Sequence, residues 1–249
     1  MKALVTGASS GIGRCIALYL SSFGYDLYVV SRNKSELEKI IERVQTKVEC
    51  LEFDLRKEED CSKLYEQLKD KGIDIVVNNA GFGDCGNFTE TSLEKEMDMI
   101  NLNVRAYHIL MKLFLRDFTK RGYGRILNIA SMAGFMPGPY MATYYATKSY
   151  IVNLSLAVSE ELKQQHSNVK ISCFCPGPVK TNFSSIAHVH FNIGSLTAEQ
   201  AAKMAVDGMF LNKTIIIPNN MKLNYVLTKV APIGLVLLVN SKIQERASK

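Results

Sequence analysis

Short apolar runs alternate with helix-period runs from the second residue onwards, and this alternation restricts the chain to an α/β architecture. Lys2–Thr6, Leu27–Val30, Val48–Phe53, Ile73–Val77, Arg125–Ile129, Val169–Phe174 and Thr214–Ile217 read as strands. Between them, Ile12–Phe23, Ser35–Val44, Glu58–Leu68, Tyr144–Leu162 and Ala198–Phe210 carry helical spacing, and Ile100, Val104, Tyr107, Met111, Phe114, Leu115 and Phe118 mark one face of a further long helix. Such alternation of strand and helix predicts a doubly wound parallel sheet of seven strands with helices on both faces. Ligands of such sheets gather at the carboxyl ends of the strands. No repeat or linker divides residues 1–249, so one domain is expected.

Composition narrows the function classes. At 249 residues and 47% hydrophobic, the chain can bury one substantial core. Its net charge of +6 comes from basic residues scattered among acids, as in Glu36, Glu38, Lys39, Glu42 and Arg43. There is no basic stripe interleaved with aromatics, which argues against a nucleic-acid partner. No secretory signal is legible ahead of the first strand, so a cytoplasmic location is expected. Cys15, Cys50, Cys61, Cys85, Cys173 and Cys175 have no metal-ligand spacing and read as free, buried thiols; Cys173 and Cys175, two apart on a strand, point the same way.

The first strand runs into Thr6-Gly7-Ala8-Ser9-Ser10-Gly11-Ile12-Gly13. Gly7 permits a sharp turn, Gly11 lets the backbone approach a ligand, and Gly13 allows close helix–strand packing. The helix that follows offers free N–H groups and a positive dipole end to a pyrophosphate. Gly7, Ser9, Ser10, Gly11, Ile12 and Gly13 are therefore candidate cofactor contacts. The second strand ends in Ser31-Arg32, where a carboxylate would favour the ribose hydroxyls of NAD(H). A guanidinium at Arg32 suits a 2′-phosphate instead, so NADP(H) is expected and NAD(H) is the less favoured alternative. Asp54, followed by Leu55, ends the third strand where it can meet the adenine, although a plain turn former would look the same. Asn79, Ala80 and Gly81, ending the fourth strand, are expected along the adenosine side.

Tyr144 and Lys148 are four apart on a helix, so their side chains share a face. A nearby ammonium favours phenolate, which predicts a lowered Tyr144 pKa and a role as general acid and base. Tyr140, Tyr145 and Tyr150 are close by, and a tyrosine-rich helix packed in a core is the competing explanation. Ser131 closes the fifth strand and can hold a substrate oxygen beside Tyr144. Asn103 can fix a water that links Lys148 to solvent.

These residues, with Asn78-Asn79-Ala80-Gly81 and Pro176-Gly177, occur in an order that resembles the short, single-domain branch of the short-chain dehydrogenase/reductase family, over residues 1 to about 217. The resemblance implies a Rossmann-type sheet and a catalytic tetrad of Asn103, Ser131, Tyr144 and Lys148. It implies that Lys148 binds the nicotinamide ribose, that Pro176, Gly177 and Val179 border the nicotinamide, and that Thr181 meets its carboxamide. Its expected activity is hydride transfer between a nicotinamide and a hydrophobic ketone or alcohol; a non-catalytic nucleotide-sensing regulator is the alternative. Residues 182–195, with Phe183, Ile186, His188, Val189, His190 and Phe191, are expected to form the substrate loop. His188 and His190 lack a third ligand nearby, so no metal is expected. The tail, 219–249, is apolar over 223–239 and broken by Lys229 and Pro232. It is expected to pack over the pocket or at the interface of a homodimer or homotetramer, with interfacial membrane contact the second choice.

Overall fold

The computed structural model describes residues 1–187 and 195–247. Its first six strands are β1 (Lys2–Thr6), β2 (Asp26–Ser31), β3 (Val48–Glu52), β4 (Ile75–Asn78), β5 (Arg125–Ile129) and β6 (Lys170–Phe174). A short pair follows, β7 (Val179–Lys180) and β8 (Leu196–Thr197), and then β9 (Ile215–Ile216). Among the described residues, seven strands form the main sheet in the order β3-β2-β1-β4-β5-β6-β9, with every pairing parallel. β1 pairs with β2 on one side and β4 on the other, so the winding reverses there and opens a crevice at the strand ends.

Ten helices are described: α1 (Gly11–Ser22), α2 (Lys34–Ile41), α3 (Glu58–Leu68), α4 (Leu93–Ile100), α5 (Tyr107–Arg121), α6 (Ala142–Gln164), α7 (Phe183–Ile186), α8 (Ala198–Phe210), α9 (Lys222–Val230) and α10 (Ile233–Ala247). Strand alternation sends Ala3, Val5, Leu27, Val29 and Val77 to one face, against Ile16, Ala17 and Leu20 of α1 and the alanines of α8. Leu4, Val30, Val76 and Ile126 face the other way, onto Leu64 of α3 and Leu110, Phe114 and Phe118 of α5. Both faces are thus covered, which explains the apolar runs of the central strands; β3, at the sheet edge, keeps Glu49 and Glu52 exposed.

Two expectations are corrected. The long helix is not continuous: Asn101–Ala106, between α4 and α5, is π-helical. Asn103 sits in this widened turn with its amide bound to the backbone of Phe82, a constraint that helical periodicity does not reveal. The cysteines are all free, but only Cys61, Cys173 and Cys175 are buried; Cys15, Cys50 and Cys85 are half-buried and pack against the margins of core clusters. Cys173 and Cys175 do share a side, with their sulfurs 3.8 Å apart.

Gly7 has φ +64°, a conformation that favours glycine, and a Cβ there would stand 2.7 Å from the Ala80 Cα. At Gly13 a Cβ would run into the Gly7 carbonyl oxygen and the Asn79 amide, neither of which is free to retreat. Gly13→Ala is expected to cost about 2–3 kcal/mol by overpacking. For a chain of this size that is a fall of about 4–12 °C in Tm, read by thermal unfolding.

Candidate active site

The end of β1 and the end of β4 are tied together by side chains. The Thr6 hydroxyl donates to the Val77 carbonyl (3.2 Å) and accepts from the backbone N–H of Asn79 (2.9 Å) and Ala80 (3.1 Å). The Asn79 amide donates to the carbonyls of Thr6 (3.0 Å) and Gly7 (3.1 Å). Asn79 therefore braces the glycine turn as well as lining the crevice. Ser10 occupies the cap position of α1 without a side-chain cap bond, which leaves the first N–H groups of the helix open to an anion. The Ser31 hydroxyl donates to that of Ser9 across the turn (3.0 Å).

Three basic side chains stand beyond the ends of β1, β2 and β3. Arg14 pairs with Glu36 at 3.0 Å and also bonds the Ser9 carbonyl. Arg56 is held by Asp54 at 2.6 Å and by Asp98 at 2.5 Å. Arg32 is exposed on the rim and forms no ion pair among the described residues. Asp54 is held below the usual carboxylate range, first by its hydrogen bond from Arg56. Its carboxylate is thus already engaged, which leaves less of it for an adenine amino group than the sequence alone suggests.

At the other end, α6 presents Tyr144 and Lys148 beside the end of β5. Lys148 Nζ donates to the Ile129 carbonyl (2.9 Å), which also accepts from the Tyr107 hydroxyl (3.2 Å). The same Nζ lies 5.8 Å from the Tyr144 ring centroid. Ser131, the residue after Ala130 at this strand end, accepts from the Ala133 N–H (3.1 Å) and reaches the Tyr144 hydroxyl closely enough to affect its titration. Asn103 is fully buried; it accepts from the Phe82 N–H (3.1 Å) and donates to the Phe82 carbonyl (2.8 Å) and the Thr147 hydroxyl (3.1 Å). A Cβ on Gly81 would meet Asn103 Oδ1 at 2.8 Å and Lys148 Nζ at 3.7 Å, so the strand must be bare there.

The expected fall of the Tyr144 pKa is not present in this arrangement. Burial raises it well above the ordinary tyrosine value, and the Ser131 hydroxyl opposes that rise. Burial also presses Lys148 down to about 8. Both shifts have one cause, the exclusion of water from charged forms, and the sequence spacing contains no information about it.

A cleft of about 720 Å³ joins these two ends, within the range of about 300–1,000 Å³ usual for ligand sites. Gly7, Ser9, Ser10, Gly11, Ile12, Arg32, Asp54 and Leu55 border its half nearest the ends of β1, β2 and β3. Asn79, Ala80 and Gly81 form its floor, and Ser131, Tyr144, Lys148, Pro176, Gly177, Val179 and Thr181 border its other half. Gly13 and Asn103 do not reach it. Gly13 is spent on helix–turn packing, and the Asn103 side chain is fully engaged behind Phe82 and Thr147. The volume, the open helix N-terminus and the unpaired Arg32 fit a dinucleotide.

Several lining residues escaped sequence reasoning. Met132, Met136, Met141 and Phe82 make the end of the cleft around Tyr144 apolar; Phe183 of α7, already expected from the sequence, packs on Tyr144 with ring centroids 5.3 Å apart. Asn240, Ile243 and Gln244 of α10 close one side. The Gln244 amide donates to the Tyr145 hydroxyl (2.6 Å), which assigns Tyr145 a packing role. A polar pair one turn apart in an otherwise apolar tail was the available signal. His188, Val189, His190 and Phe191 of the expected substrate loop lie outside the described residues.

The model of the short chain dehydrogenase family matches residues 1–188, and the chain belongs to the short-chain dehydrogenase/reductase family. It is 34% identical over 193 residues to a very-long-chain 3-oxoacyl-CoA reductase of Mycosarcoma maydis, a match that covers 74% of this chain but only 55% of that longer relative. Among solved structures, it resembles a short-chain dehydrogenase from Sphingobium yanoikuyae in complex with NADPH, with TM-score 0.84, 28% identity and 94% of each chain covered. A Burkholderia phymatum family member in complex with NAD shares the fold at 22% identity and TM-score 0.82, with 91% of this chain and 92% of that one covered. The chain thus belongs to a family with a solved member that holds NADPH, and it shares its fold with a protein solved with NAD.

The depressed Lys148 pKa sets a pH dependence of stability. Between about 8 and the ordinary 10.5 the unfolded chain binds the extra proton, so unfolding free energy rises with pH through this window. The contribution amounts to about 3 kcal/mol. Urea unfolding of wild type and Lys148→Met across that range is expected to differ by this slope, the methionine variant lacking the lysine's share of the rise.

Proposed function

We propose that the chain is an NADP(H)-dependent reductase of hydrophobic ketones, with Tyr144 as proton donor and acceptor. The observation that carries this reading is the meeting of Tyr144, Ser131 and Lys148 in one cleft with the glycine turn and Arg32. A bound nicotinamide supplies the hydride in reduction and takes it up in oxidation. Ser131 Oγ and Tyr144 OH donate to the same carbonyl oxygen, and the Tyr144 proton moves to that oxygen as the alkoxide forms. Burial keeps Tyr144 protonated at neutral pH, loaded as an acid. Lys148 is predominantly an ammonium below about 8, and its charge stabilises the phenolate left behind. Asn103 holds the Phe82 backbone and, through Thr147, the helix that carries Tyr144. Its role in this reading is positioning.

Two observations favour the cofactor and substrate. Arg32 lines the cleft and forms no ion pair among the described residues, whereas Arg14 and Arg56 are paired with carboxylates. The apolar lining from Met132, Met136, Met141 and Phe183 suits a long or bulky hydrocarbon on the ketone, and the name of the Mycosarcoma relative points to the same chemistry.

Tyr144→Phe is expected to lower kcat by about 10²–10⁴-fold, with NADPH binding retained in fluorescence titration. Full turnover in that variant would remove Tyr144 from the chemistry. Arg32→Ala is expected to weaken NADPH binding by roughly 10–100-fold while leaving NADH unchanged, the loss of one charge-assisted contact. An equal effect on both cofactors would overturn the NADP(H) preference.

A further inference from the structure

Ten exposed large apolar side chains fall within residues 223–243, among them Leu223 (70%), Val230 (72%), Ile233 (63%) and Leu238 (53%). α9 has no buried residue at all. On α10, Ile233, Leu235, Leu237, Leu238 and Val239 leave only a narrow side for contact with the body of the protein. A helix apolar around most of its circumference is ordinarily covered, and a patch of this extent on a soluble surface marks a contact site.

The narrow inner side of α10 is specialised. Asn240 and Gln244, one turn apart and both buried, grip the cleft wall. The Asn240 amide donates to the Pro137 carbonyl (2.9 Å), and the Gln244 amide donates to the Tyr145 hydroxyl (2.6 Å). Ile243 both lines the cleft and is 48% exposed, so the cleft mouth lies alongside the apolar patch. Asn224 of α9 borders the same cleft.

Charge tells what covers this patch. Lys222, Lys229 and Lys242 are exposed around it, Arg246 and Lys249 follow in the sequence, and Glu245 is the sole acid of residues 222–249. A second copy docked about a twofold axis would bring this positive segment against itself, which like-charge repulsion opposes. A surface that is apolar within and negative at its rim complements it. No helix among the described residues is long and apolar enough to cross a membrane, so the contact is interfacial.

We propose that α9 and α10 dock the protein on an anionic lipid surface, with their apolar side chains in the headgroup–acyl boundary and the cleft mouth turned towards it. The docking is independent of the reductase reading; together they make the lipid phase the source of the hydrophobic ketone.

The test is co-sedimentation of the full chain with vesicles of phosphatidylcholine alone and of phosphatidylcholine mixed with phosphatidylserine, read without substrate or turnover. Failure here therefore leaves the assignment of Tyr144 standing. Binding is expected to the mixed vesicles, to weaken in high salt, and to be lost in a Leu235→Glu/Leu238→Glu variant. Those positions are exposed and away from the cleft, so melting temperature and NADPH binding should be unchanged. Lys222→Gln and Lys242→Gln are each expected to weaken vesicle binding by roughly fivefold. Absence of wild-type binding to the mixed vesicles would overturn the proposal. So would a wild-type dimer in sedimentation equilibrium that the double glutamate variant converts to monomer, because the patch would then belong to a second copy of the chain.

Discussion

The hydrogen bond from Lys148 Nζ to the Ile129 carbonyl anchors the chemistry of this protein to its fold. It joins the second turn of α6 to the last residue of β5, so Tyr144, one turn earlier on the helix, is delivered to the strand end where Ser131 lies. The approach is close: a Cβ on Gly134 would meet the Lys148 carbonyl at 2.7 Å. Because all seven main strands are parallel, the same edge also carries the glycine turn after β1 and the Asn79–Gly81 segment after β4. A shift of α6 would separate Tyr144 from Ser131 and the glycine turn, even with every side chain intact.

Burial works on this pair in opposite senses. It favours the neutral phenol of Tyr144 and the neutral amine of Lys148, so a charged intermediate is costly for each alone. A proton transfer that makes phenolate beside ammonium creates opposite charges together, in a site where their attraction is little screened. The Ile129 carbonyl and the nearby Tyr107 ring, 5.6 Å from Nζ, keep that ammonium in place. The same dryness that raises the tyrosine thus strengthens the interactions that stabilise its anion.

The C-terminal helices place two unlike surfaces back to back. Asn240 and Gln244 are the polar teeth that fasten α10 to the cleft wall, while Ile233, Leu235, Leu237, Leu238 and Val239 of its first two turns are apolar and exposed. This arrangement explains why a tail too broken to span a bilayer still carries so many large apolar residues. One side of it shapes the substrate half of the cleft, and the other is available to a surface.

The sequence by itself determined the alternating α/β architecture, the glycine turn after the first strand and the Tyr144–Lys148 spacing. Each depends on residues within one element or across one turn, where periodicity and glycine spacing map directly onto geometry. Ser131 was legible for the same reason, as the residue that follows a strand end. What only the tertiary structure decided rests on contacts between distant segments. Asn103 bonds Phe82 and Thr147 from a π-helical turn, and α10 reaches Tyr145 across 99 residues of chain and Pro137 across 103. The protonation of Tyr144 and Lys148 belongs here too. Spacing gave their proximity, but desolvation, a property of everything packed around them, set the direction of both shifts.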